Sequence, residues 1–196
     1  NNHLSASAGS VIQKLRDGAT TVIHDPIPAA IIVNIPDSNL RTALEGELGK
    51  NPGEPITDLE LSELHRPTEA QNTGGWLYLV SRNITDLRGL EYCTNVTKLN
   101  LISNQITDLS PLYSLTNLGD LRLTNNQISD IEPLSSLVNL TNLELGANQI
   151  DDTSPLSNLI SLTELALSIN QITDVSSLSS LTSLTDLDLR HNLVKD

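Results

Sequence analysis

Asparagine returns every 22 residues along the second half of the chain, at Asn104, Asn126, Asn148, Asn170 and Asn192. A fixed internal period constrains a fold more than any single motif, because each period must become one copy of the same unit. Other columns keep the spacing. Leu99, Leu121, Leu143, Leu165 and Leu187 form one, and Leu101, Leu123, Leu145, Leu167 and Leu189 the next. Ile106, Ile128, Ile150 and Ile172 form a third, with Leu193 in its last slot. Asp86, Asp108, Asp130, Asp152, Asp174 and Asp196 form a fourth. The unit reads LxxLxLxxNxIxDxxxLxxLxx.

In Leu121-Arg122-Leu123 two leucines flank an outward residue, the period-two signature of a short strand. Six strands are expected, centred on Tyr78, Asn100, Arg122, Glu144, Ala166 and Asp188, stacked in parallel about 4.8 Å apart. The asparagine after each strand carries both a donor and an acceptor. Turned inward, it can bond loop backbone in its own coil and the neighbouring one. The return arm turns Ile131, Leu134 and Leu137 inward, and Pro111, Pro133 and Pro155 recur in it. So short an arm suits 3₁₀ turns better than an α-helix. The Asp column falls in the turn, where short polar side chains cap backbone amides. Its carboxylates spread along an axis instead of converging, so no metal site is expected there. Cys93 shares the column of Leu115, Leu137, Leu159 and Leu181 and reads as a buried structural thiol. Together these columns describe a leucine-rich repeat. The expected fold is an α/β solenoid, a right-handed superhelix with a parallel β-sheet on the concave face, short 3₁₀ or turn-rich return arms and an N-terminal helical cap.

Composition fits that reading. The chain of 196 residues has 36 leucines, no Phe, one Trp and three Tyr, as a narrow coil with one aliphatic layer requires. A formal charge of −13 argues against a nucleic-acid backbone as partner. The longest apolar run, Ala29 to Val33, is far short of the roughly 20 residues that span a bilayer. One cysteine excludes a disulfide framework and a CxxC pair. With no methionine and no signal-peptide pattern at Asn1, the chain reads as an excised or processed piece.

A solenoid needs covered ends. Asp37 can N-cap a helix over Ser38–Leu48 that carries Leu40, Ala43, Leu44 and Leu48 on one face. Asn51 to Pro55 reads as a turn. Thr57 with Glu60 forms a capping-box pattern for a second helix, Asp58–Leu64. The expected organisation is an extension or linker over 1–34, in which Thr20–His24 suits a short strand, a helical cap over 35–75 and repeats over 76–196. His65 to Gly75 reads as a loop. The C-terminal end has no cap of its own, which implies further repeats or a closing domain beyond it.

The segment Ile35-Pro36-Asp37-Ser38-Asn39-Leu40, then Ile56-Thr57-Asp58-Leu59, then Ile84-Thr85-Asp86-Leu87, together with repeats bearing Asn-Gln-Ile-Thr-Asp at Asn104–Asp108 and Asn170–Asp174, resembles the cap and repeats of internalin-like bacterial surface proteins. The resemblance covers 35–196. It implies a secreted or cell-surface location, binding of another protein such as a host-cell surface protein on the concave face, and a role in adhesion; a monomer is expected in the full-length context. Two departures stand out. Arg82 occupies the first ladder slot, and the loop after His65 does not follow the usual link from cap to repeat. An immunoglobulin-like domain and a wall-anchoring signal, common in that family, do not lie within these residues, so surface attachment rests on the resemblance.

The face such a protein would use can be read from the register. Before the first strand leucine lie Trp76, Lys98, Asp120, Asn142, Glu164 and Asp186; between the leucines lie Tyr78, Asn100, Arg122, Glu144, Ala166 and Asp188. After the second come Val80, Ile102, Thr124, Gly146, Ser168 and Arg190. These positions differ freely from coil to coil while the structural columns barely change. Trp76, Tyr78, Val80, Lys98, Ile102 and Arg122 gather at one end, and Glu144, Glu164, Asp186 and Asp188 at the other. Aromatics and arginine dominate interface energetics. The partner-contact set is therefore Trp76, Tyr78, Val80, Lys98, Asn100, Ile102, Asp120, Arg122, Glu144, Glu164, Asp186 and Asp188. A second reading packs Trp76 and Tyr78 under the cap helices or the 65–75 loop.

No catalytic grouping appears. The four histidines are scattered, at His3, His24, His65 and His191, and no Ser/His/Asp set, HExxH or phosphate-cradling glycine loop is present. Asp151 and Asp152 are turn residues, and Glu144 and Glu164 lie on a flat face without a cleft. No cofactor is expected. The alternative to a surface adhesion module is an intracellular scaffold similar to the leucine-rich regulatory subunits of protein phosphatases; the Ile-Pro-Asp cap favours the former. Sequons at Asn83, Asn95 and Asn139 follow from the repeat's own Asn and Thr usage.

Overall fold

A coil of 22 residues cannot satisfy its own loop amides, so its neighbours must. The computed structural model shows how. It describes residues 29–64 and 75–194; the expectations for Thr20–His24, for the extension up to residue 28 and for the loop over 65–74 lie outside them. The chain divides at Ala30, and Ile31 onward forms one compact unit.

Six three-residue strands form one parallel sheet in chain order: β1 (Trp76–Tyr78), β2 (Lys98–Asn100), β3 (Asp120–Arg122), β4 (Asn142–Glu144), β5 (Glu164–Ala166) and β6 (Asp186–Asp188). Each pairs at an offset of one period, Leu77 beside Leu99 and Leu99 beside Leu121. The residues expected at strand centres are the last residue of each strand. Pairing nevertheless continues beyond them, with Leu79 N donating to Asn100 O at 2.8 Å and Ser81 N to Ile102 O at 2.9 Å. The chain then turns through a left-handed residue in every coil, at Ser81, Ser103, Asn125, Ala147, Ile169 and His191. Such a φ strains any residue with a Cβ, and Ile169, at φ 58, bears the most because it is β-branched.

The next residue is the ladder asparagine. Asn126 Oδ1 accepts from Ile106 N of the preceding coil at 3.1 Å. Its Nδ2 donates to Leu101 O of that coil and Leu123 O of its own, at 3.0 and 2.9 Å. Asn104, Asn148, Asn170 and Asn192 repeat the pattern. Arg82, in the first slot, is exposed. A ladder asparagine there would have no preceding repeat strand to bond, and Asn104 Oδ1 accepts from both Arg82 N and Ile84 N, at 3.1 and 3.0 Å.

The return arms are 3₁₀ turns, from Leu90–Tyr92 to Ser176–Ser180, with proline at the start of three of them. The Asp column opens each turn: Asp108 accepts from Ser110 N, Asp130 from Glu132 N, Asp152 from Ser154 N and Asp174 from Ser176 N, all at 2.8 Å. Inside runs an unbroken leucine and isoleucine core that includes Cys93, whose thiol burial pushes up to about 12. Two further ladders run outside the core. Asn95, Asn117 and Asn139 each donate to a carbonyl of the element before, at Ser62, Thr94 and Thr116. Thr141, Thr163 and Thr185 hydroxyls donate to Gly119, Thr141 and Thr163 carbonyls at 3.0 Å.

The cap comprises α1 (Ser38–Glu47) and α2 (Asp58–Glu63), the latter with the expected Thr57–Glu60 box. Residues 31–33, read from sequence as part of the extension, belong with it: Ile32 bridges Thr57 antiparallel, and Val33 N donates to Ile56 O at 2.8 Å. Asp37 joins cap to repeat. One carboxylate oxygen accepts from Asn39 N and Leu40 N, capping α1; the other accepts from Thr85 N and Oγ1, at 2.8 and 3.0 Å, and from Asp86 N. Beside it Ile35 presses on Gly89, where a Cβ would stand 2.7 Å from Ile35 Cγ1 on a backbone at φ 108; only glycine fits there. At the far end Leu187 and Leu193, both in core columns, are 43% and 59% exposed.

Burial alone would raise the Asp37 carboxyl, but donors from Thr85, Leu40 and Asp86 hold it below its ordinary value of 3.8. A lowered carboxyl stabilises the fold above its unfolded pKa and loses that contribution as pH falls through the folded value. Because an amide nitrogen in place of the second oxygen would face the Thr85 and Asp86 donors, Asp37→Asn is expected to cost about 2 kcal/mol at pH 7, with the gap between variant and wild type closing below pH 3.8 in urea titrations. Asn126→Ala orphans Ile106 N inside the core, and unfolding followed by circular dichroism should show a loss of about 3 kcal/mol.

Candidate protein-binding face

Alternation along three-residue strands turns one residue inward and its neighbours out. Leu77, Leu99, Leu121, Leu143 and Leu165 are buried, and the residues on either side form the face expected from the register.

At its first end the side chains are already assembled. The Trp76 and Tyr78 rings stack with centroids 5.5 Å apart and planes 21° apart. The Arg122 guanidinium lies 4.6 Å from the centre of the Trp76 ring, and Lys98 Nζ lies 5.9 Å from it. Both cations fall within the range where a ring face attracts them. Arg122 is held from the other side by Asp120 at 3.2 Å and Glu144 at 3.5 Å. A guanidinium is planar, so it can stack and accept this ion pairing together.

Tyr78 is 53% exposed and Val80 38%, so Tyr78 is not covered by the cap helices; the reading that places it under the 65–75 loop lies outside the described residues. Trp76 is half-buried, and its ring contacts lie on the sheet face. Lys98, Ile102, Asp120, Arg122 and Glu144 are half-buried on the same face. Asn100 corrects the expectation. It sits between Tyr78 and Arg122 in register, yet only 8% of its surface is accessible. The Arg122 side chain crosses its strand to reach Trp76, and Asn100 Oδ1 accepts from Ile102 N at 3.1 Å. It supports the face instead of offering itself to a partner.

The other end is acidic. Glu164 and Asp186 are exposed and Asp188 half-buried. Arg190 donates to both Asp188 oxygens, at 2.9 and 2.8 Å, and holds that carboxyl well below the usual carboxylate range. Glu164 accepts from Asn142 Nδ2. The five ladder asparagines lie behind the strands, bonded to backbone, and serve the fold.

Sequence reasoning placed Trp76, Tyr78, Lys98 and Arg122 at one end but missed that Arg122 spans two strands to clamp the tryptophan. The signal was available in the small Asn100 between them, since a bulky residue there would block the path.

With Arg122→Gln the clamp opens. The emission of Trp76, the only tryptophan in the chain, should shift to the red and become more quenchable by acrylamide, at a stability cost of only about 1 kcal/mol.

Three comparisons bear on this geometry. The family described as leucine-rich repeats (2 copies) matches residues 94–134, 116–158 and 160–196. An internalin (inlF) from Listeria monocytogenes is similar in structure, with 35% identity and a TM-score of 0.75 over 83% of this chain and 45% of that one. The functional domain of InlJ from the same organism shares the fold at 22% identity and a TM-score of 0.54, over 82% of this chain and 42% of that chain. The chain thus spans less than half the length of either. No curated protein matches it.

Proposed function

The chain belongs to the leucine-rich-repeat family and is internalin-like, and from that premise we propose that it is a non-catalytic protein-binding module of a secreted or surface-displayed bacterial protein. It serves adhesion or receptor binding and meets its partner on the sheet face.

One observation carries the reading: the stacked Trp76–Tyr78 pair with Arg122 and Lys98 against it. The fold does not require these side chains. The equivalent positions in later coils are Glu164, Ala166 and Asp188, and those coils form equally well. Aromatic and arginine side chains fixed in one arrangement before binding lose little entropy when a partner arrives, and such groups make the energetic centres of interfaces. The likeness to the Listeria internalin at 35% identity supports a bacterial surface setting over an intracellular scaffold, as does the two-helix cap. No described helix is long and apolar enough to cross a membrane.

Once a partner is in hand, Trp76→Ala and Arg122→Ala should each weaken binding by about 2 kcal/mol, roughly thirtyfold, with the far-UV spectrum unchanged. Full affinity in both variants, measured by surface plasmon resonance, would sink the proposal.

A further inference from the structure

The charges of the sheet face narrow the kind of protein that can lie on it, given that the face binds protein at all. Across β4–β6 the carboxylates of Glu144, Glu164, Asp186 and Asp188 surround the small side chain of Ala166, leaving an open hollow of about 290 Å³. Its acceptors outnumber its donors. Arg190 is already taken by Asp188, and Glu144 is only loosely paired with Arg122 at 3.5 Å. The Asp186 carboxylate makes no hydrogen bond or ion pair among the described residues. Asn142, which lines the same hollow, keeps a buried amide oxygen with no donor. Four carboxylates with one arginine among them leave the hollow strongly negative, and a guanidinium or ammonium group supplies what it lacks.

We propose that strands β4–β6 receive a basic segment of the protein partner, with arginine or lysine side chains entering the hollow around Ala166, while the Trp76–Tyr78 platform takes an apolar residue of the same segment. Arginine suits the hollow better than lysine because its planar fork can meet two carboxylates at once. Four strand spacings separate β1 from β5, about 19 Å. An extended segment crossing the strands covers that distance in about six residues. The partner's signature is therefore an apolar anchor and a basic pair about six positions apart. A phosphate-bearing or acidic surface would meet four carboxylates and is disfavoured. The long-range attraction would also speed association at low ionic strength.

The test is selection from a displayed library of random twelve-residue peptides against the full chain. The enriched peptides should carry Arg or Lys about six positions from an apolar residue. They should lose at least tenfold in affinity on the Glu164→Gln/Asp186→Asn double variant, and again as salt rises from about 50 to 200 mM. These substitutions preserve shape, and circular dichroism checks that the variant is folded. Neutral or acidic winners, or basic ones that bind the double variant as tightly as wild type, would overturn the inference. If such winners still move the Trp76 emission and weaken on Trp76→Ala, the protein-binding reading stands and only the basic partner falls. If no selected peptide responds to Trp76→Ala or to the double variant, both fall.

Discussion

Everything in this molecule depends on one carboxamide per coil. A chain wound into short coils leaves loop amides and strand-end carbonyls that its sheet cannot reach, and burying them unpaired would cancel the gain from the leucine core. Asparagine is short enough to sit inside and carries both polarities. Its oxygen answers an amide of the coil before, and its nitrogen answers a carbonyl of each coil. The bonds have a direction, since each coil's loop is closed by its successor. At the front edge the problem changes: among the described residues no repeat strand precedes β1, and the Asp37 carboxylate takes loop amides of the first coil while capping α1. A carboxylate can serve there because only donors face it.

The fold was legible because its cause is periodic. Spacing alone located six strands, the ladder, the 3₁₀ returns and the Asp turns, and the capping pattern at Thr57 marked α2. What escaped was aperiodic and distant. Asp37 reaches Thr85 across 48 residues, and no local pattern announces that. The antiparallel bridge of Ile32 to Thr57 escaped for the same reason, being a single pair without alternation. The outer ladder of Asn95, Asn117 and Asn139 was written in the sequence at the same period, but the Asn-x-Thr form of Asn95 and Asn139 invited a different explanation. At the face, register named the outward positions, yet outward is not the same as accessible. Asn100 shows the difference, because its exposure is decided by Arg122, a residue on another strand.

The face also shows how binding chemistry is separated from folding chemistry. Leucine, asparagine and aspartate columns hold every coil alike, which frees the positions between them. The only tryptophan of a chain poor in aromatics lies there beside a tyrosine, and the repeat region's excess of acid reaches the opposite end. Arg122 connects the two regimes, with one side against Trp76 and the other toward Asp120 and Glu144. A change at the acidic end thereby alters how firmly the aromatic end is held.

The direction of the ladder bonds has an evolutionary consequence. Because each junction joins an asparagine to the same two carbonyls and the same amide, one junction is chemically interchangeable with the next. Tandem duplication or loss of a 22-residue segment would reseal without a misfit, provided the cut falls in register. A lineage can then alter the breadth of its recognition surface in quanta of one strand spacing, about 4.8 Å, carrying the aromatic and acidic ends apart or together while the machinery of folding stays the same.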